Sequence, residues 1–339
     1  MIHRLIAFLN DARLLVGVFL LVLATSGCSI LVPQTTELRK ARPAGLPDSA
    51  ELTNVPFVAQ EDFNCGPSAL AMSIGTVKTG VTLDELVSQV FLPGRQGSLQ
   101  VEMLAAPRRH GLVSYQLAPR MADAFREVAA GNPVIVLLDY GVWPVSIWHY
   151  AVLVGYDIPK SLVTVRTGRR PRQSTPFSLF EYLWSESNYW SMVVMPPDKL
   201  PATATEANYL TAIAALERTG NKLAARDAYQ AFTGRWPDNV NGLLALANTH
   251  HALGELKPAI FALRRAESRQ PDSVLVLNNL AQTLADLNRP REAIQAIERA
   301  VDLGGPFAAE VVKTRDDIRK LLKKPSKSRQ CERDMAPVK

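Results

Sequence analysis

The stretch "QEDFNCGPSALAM" (residues 60–72) sets a lone cysteine after Asn64 and before Gly66-Pro67, at the mouth of an apolar run. Leu70, Ile74 and Val77 fall on one face of that run, which predicts a helix starting at Cys65. Pro67 suits a first helical turn, where its missing N–H costs nothing, and Gly66 lets another backbone or a substrate come close. A sulfur at such a helix end meets unpaired N–H groups and the positive end of the dipole, which favours its thiolate. Cys65 is therefore the candidate nucleophile.

A nucleophilic thiol needs a base, and the chain has five histidines. His3 lies in an N-terminal apolar segment, His250 and His251 in a helical repeat, and His110 near a helix C-terminus. His149 opens a strand-like run, "HYAVLVGYD" (149–157), where a sheet can hold its ring. Helical runs surround Cys65, including "TLDELVSQVF" behind a Thr82…Glu85 capping box, "LQVEMLAAPRRHG" and "MADAFREVAAG". Strand-like runs follow: "PVIVLLDY", the His149 run, "SLVTVRTG" and, after the helical "SLFEYLWSES", "YWSMVVMPP". Helices first and an antiparallel sheet afterwards predict an α+β domain over 53–196.

A different pattern follows the Pro-rich linker at 197–206. Gly220, Gly254 and Asn288 recur every 34 residues, in step with Ala225, Ala259 and Ala293 and with Tyr229, Leu263 and Ile297. "WPDN" (236–239) and "QPDS" (270–273) close two units in one register. This period resembles the tetratricopeptide repeat. The expected all-α module spans 207–324, with three helical hairpins and "FAAEVVKTRDDIRKLL" as a capping helix. No hairpin of this kind can bury its apolar face alone, so stacking is what stabilises it. A polar basic tail, 325–339, is expected to be disordered.

Residues 1–28 form a targeting pattern: Arg4 and Arg13, the apolar "LLVGVFLLVLA" (14–24), then "TSGC" ending at Cys28. The apolar run is shorter than the roughly 20 residues that cross a bilayer. The small residues before Cys28 resemble the bacterial lipoprotein signal. That resemblance implies acylation of Cys28, export, a membrane anchor and, with Ser29 following, the outer membrane facing the periplasm. An ordinary secretory signal is the alternative. Residues 29–52, with Pro33, Pro43 and Pro47, are expected to be a flexible tether. With Cys28 in lipid, Cys65 and Cys331 do not make a disulfide framework, and Cys65 is read as a free thiol. The charge of +6 and pI of 9.3 are scattered rather than gathered in an aromatic-interleaved stripe, so no nucleic-acid partner is expected.

"Q…NCGPSALAM" followed by "HYAVLVGYD" resembles the bacteriocin-processing, double-glycine-leader cysteine peptidases, over about residues 53–196. The resemblance implies a papain-like fold and a peptide or protein substrate. Gln60 would help to hold the oxyanion, Cys65 would attack and His149 would serve as base. The family's orienting Asp has no clear counterpart. Asp157 lies eight residues along the strand from His149, about 26 Å at roughly 3.3 Å per residue. A hairpin turning at 157–161 instead puts Thr167 to Arg169 opposite His149, making Thr167 the local candidate to hold the ring. No cofactor or metal is required. The expected function is a lipid-anchored cysteine peptidase whose repeats bind a protein partner or substrate. The alternative is a non-catalytic peptide-binding scaffold, and the residues do not separate hydrolysis from acyl transfer.

Overall fold

The computed structural model describes residues 32–61 and 63–323; the expected signal, Cys28 and the basic tail lie outside them. The chain divides into two units, one running to Pro196 and including Pro201–Ala204, the other comprising Pro197–Leu200 and the residues from Thr205 onward.

The first unit begins with α1 (Pro33–Lys40), β1 (Ser49–Glu51), α2 (Cys65–Ile74), α3 (Leu83–Val90), α4 (Gln100–Arg109) and β2 (Val113–Gln116). It continues with α5 (Met121–Ala129), β3 (Val134–Asp139), β4 (Trp148–Asp157), β5 (Leu162–Thr167), β6 (Arg170–Pro176), α6 (Phe177–Ser185) and β7 (Ser191–Met195). The strands form one antiparallel sheet in the order β2-β7-β3-β4-β5-β6, with β1 added at the far end of β4. The apolar run "VIVLLD" of β3 is buried throughout, as a central strand requires. Against the sheet, Leu70 and Ile74 of α2 join Leu86, Met103, Leu137 and Val152 in one core. The Thr82–Glu85 capping box forms at the start of α3.

One expectation is corrected here. The described part of the tether is folded onto the domain. The N–H groups of Gln34 and Thr35 donate to the buried Glu181 carboxylate at 2.8 and 2.6 Å, and Gln34 Oε1 accepts from Met121 N. The first turn of a helix leaves N–H groups without intrahelical partners, and a carboxylate 146 positions away supplies them. Ser49–Glu51 then pairs with the end of β4. Not picked out in the sequence is "RPRQSTP" (170–176), which is β6, a largely exposed strand at the sheet edge where prolines are tolerated.

The second unit comprises α7 (Glu206–Glu217), α8 (Lys222–Arg235), α9 (Val240–Ala252), α10 (Leu256–Arg269), α11 (Val274–Asp286), α12 (Pro290–Leu303) and α13 (Ala308–Lys323). The repeat columns have physical causes. Gly220, Gly254 and Asn288 all adopt left-handed backbone, with φ of 83°, 76° and 59°, at the turn inside each hairpin. Ala225, Ala259 and Ala293 are fully buried, and Tyr229, Leu263 and Ile297 pack beside them. Asn239 and Ser273 cap the helices that follow the two "PD" turns. Among the described residues no helix is long and apolar enough to cross a membrane.

Candidate active site

A cleft of about 970 Å³ opens in the first unit, lined among others by Gln60, Cys65, Ser98, Trp148, His149 and Ser187. Cys65 is the first helical residue of α2, and the backbone N–H groups of Tyr150, Gly66 and Cys65 itself are near enough to its sulfur to favour the anion. Tyr150 follows His149 in β4, so the sulfur lies against the strand that carries the imidazole. Gly66 is required for a close approach: a Cβ there would stand 2.5 Å from Ser98 Oγ. Among the described residues Cys65 is a free cysteine.

The β3–β4 ladder pairs His149 with Leu138, which fixes the backbone of the candidate base. Its Nε2 is 2.8 Å from Thr167 Oγ1, and its ring stands edge-on to Tyr140, 5.6 Å between centroids. The β4–β5 register, with Val152 opposite Arg166, brings Thr167 into reach. With Nε2 taken by Thr167, Nδ1 is the nitrogen left to accept a proton. Asp157 sits at the hairpin turn, accepting from the backbone N–H and the ammonium of Lys160.

Protonation departs from the helix-end argument. Burial pushes the Cys65 thiol up, and this outweighs the three N–H groups that favour its anion. Burial likewise pushes the His149 imidazole down. The resting pair is therefore neutral thiol and neutral imidazole. A neutral thiol adds to a carbonyl only if a base takes its proton as the sulfur adds, and a neutral imidazole is able to act as such a base.

Gln60 is held on three sides. Its Oε1 accepts from Gly168 N at 2.5 Å, its Nε2 donates to Tyr150 O at 3.0 Å, and its backbone N–H donates to Gly168 O. Flipping the amide would set donor against donor and acceptor against acceptor, so the network fixes its orientation. The second Nε2 hydrogen has a long 3.4 Å contact to Cys65 O, and this is the one an oxyanion could claim. Thus Gln60 staples the turn after β5 to the start of β4 beside the helix that carries Cys65.

Two residues here were not picked out in the sequence. The Tyr140 hydroxyl bonds the Thr167 side chain, extending the chain of groups behind His149. Ser98 presents a buried Oγ with no partner beside Gly66, while its carbonyl accepts from Tyr150 OH. An aromatic after a buried strand and a serine before a helix are too common to signal either role. Of the tryptophans between 143 and 190, Trp184 and Trp190 are core, Trp148 lines the cleft and Trp143 is exposed. Among the described residues no group of three His, Cys, Asp or Glu side chains is placed to hold a metal ion.

Residues 52–192 match the Peptidase_C39 like family, and residues 240–283 and 275–303 match the Tetratricopeptide repeat. The chain carries a C39-peptidase-like domain followed by tetratricopeptide repeats. No curated protein matches the chain significantly. Among solved structures, a Bacillus anthracis protein described as C39-like peptidase is 18% identical, covering 46% of this chain and 100% of its own, with a TM-score of 0.38. The TPR2B domain of yeast Sti1, in its pHsp70 complex, is 16% identical over 34% of this chain and 96% of its own, with a TM-score of 0.33. The Yersinia enterocolitica chaperone SycD, bound to a peptide of the translocator YopD, is 17% identical over 36% and 98%, with a TM-score of 0.33.

Proposed function

We propose that the protein is a cysteine peptidase of the cell envelope, lipid-anchored through Cys28, whose repeats hold a protein partner or substrate. The observation that carries the catalytic reading is one cleft lined by both Cys65, at a helix start, and His149, its Nε2 engaged by Thr167. His149 Nδ1 takes the Cys65 proton as the sulfur adds to a peptide carbonyl. The nitrogen of the leaving amine then receives that proton, and water releases the acyl group from sulfur. The oxygen that turns negative lies by the N–H of Cys65 and the Gln60 Nε2 hydrogen whose contact to Cys65 O is a long 3.4 Å.

The repeats support a partner because stacked hairpins leave a continuous surface on which each unit adds contacts. One observation favours the rival reading of a peptide-binding scaffold: Thr167 is neutral and cannot stabilise imidazolium as a carboxylate does. A peptide bearing a thiol-reactive group at its carbonyl end tests the proposal. It should label Cys65, Cys65→Ala should abolish that labelling, and an unlabelled Cys65 in folded protein would leave the scaffold.

A further inference from the structure

We propose that the β3–β4 hairpin tip, Gly141–Ile147, inserts into the lipid interface and sets the mouth of the cleft at the membrane surface. The tip is built to be stiff. Asp139 Oδ1 accepts from Gly141 N at 2.8 Å and Ile147 N at 2.7 Å, Tyr140 N donates to Ile147 O, and Val145 N donates to Val142 O. A Cβ on Gly141 would meet Val145 O at 2.0 Å, so only glycine closes this turn. Yet what the turn holds out is apolar: Trp143 is 93% exposed, Val142 82% and Val145 64%.

Substrate contact accounts for Ile147 and Trp148, which line the cleft, but not for Val142, Trp143 and Val145, which do not. These three crown a projecting turn rather than a groove, a shape that enters a soft phase and does not enclose a peptide. "GVWPVSIW" (141–148) carries no charge, and the exposed Arg169 and Arg170 stand at its foot. They share a hollow with Tyr140 and His149. A tryptophan and aliphatics above a cationic collar is the pattern of segments seated at the interface of anionic bilayers.

The chain's course agrees, in an argument that rests on the lipid-anchored reading. Helix α1 is held at its first turn by Glu181 and Met121, and the Tyr189 hydroxyl bonds the Gln34 side chain there. The neighbouring Asn188 lines the cleft. From Val32 back to Cys28 is four residues, at most about 14 Å of chain. An acyl group on Cys28 thus leaves the domain lying on the bilayer rather than swinging above it.

The full chain, reconstituted in phosphatidylcholine vesicles with brominated acyl chains, with and without phosphatidylglycerol, tests this. Tryptophan emission should be quenched by bromine, more with phosphatidylglycerol present, and Trp143→Phe should remove most of the quenching. Trp143 is so exposed that this variant folds as the parent does. Equal emission with brominated and plain lipid would overturn the proposal. So would an emission shift that follows protein concentration in the absence of lipid, which would assign the tip to a contact between two copies. The mass of the Cys28 peptide reports the anchor separately, so loss of the anchored reading and loss of hairpin insertion are told apart.

Discussion

The two units solve the same burial problem in opposite ways. In the repeats, each helix packs on near neighbours in sequence, around a left-handed turn in each hairpin and buried alanines where its helices touch. In the first unit, the site gathers residues 60, 65, 98, 140, 149 and 167, and a sheet whose strand order departs from chain order holds them together. Damage should therefore stay local in the repeats and spread in the first unit.

The largest effect is expected at Trp184, which is fully buried and donates from Nε1 to Trp190 O. Trp184→Ala should cost about 3–5 kcal/mol. It should lower probe labelling of Cys65 along with stability, because the segment after α6 that it anchors lines the cleft. Denaturation followed by circular dichroism, with labelling in parallel, reads both. Gly242→Ala comes next. A Cβ there would meet Phe232 Cε1 at 2.3 Å, and the overpacking should cost about 1–3 kcal/mol. Labelling should be untouched. If Gly242→Ala abolished labelling at temperatures where the first unit is folded, the contrast between the units would fail.

The smallest effects are expected at Thr167. Thr167→Val removes the group on His149 Nε2 and should slow labelling about tenfold, roughly 1.4 kcal/mol. Thr167→Asp should match or exceed the parent rate, since a carboxylate stabilises imidazolium. If both variants were slowed equally, the hydroxyl would be needed for the bond it shares with Tyr140 rather than for orienting His149.

How much of this could be read in the sequence follows the same division. The repeat register was legible because its causes are local: a left-handed turn at 220, 254 and 288, and an alanine where helices touch. The helix at Cys65 and the strand at His149 were legible for the same reason, and Thr167 followed from a hairpin whose turn carried its own signal at Asp157. The docking of α1 was not, because its partner Glu181 is far off in sequence. Nor was β6, whose place at a sheet edge frees it from the apolar alternation that marks strands. The state of the thiol was misjudged because the helix end is a local feature, whereas the burial that opposes it depends on the whole fold.

The pairing of Cys65 with His149 is tested most directly by the rate of Cys65 labelling against pH, in the parent and in His149→Ala. Burial lowers the imidazole's proton affinity, so the parent should label at full rate once pH exceeds a midpoint below the usual histidine value of about 6.5. Without the base, labelling needs free thiolate, which burial defers to above about 8.5. At neutral pH the parent should therefore be faster by about 10²–10⁴-fold. Two superimposed profiles would contradict the pairing.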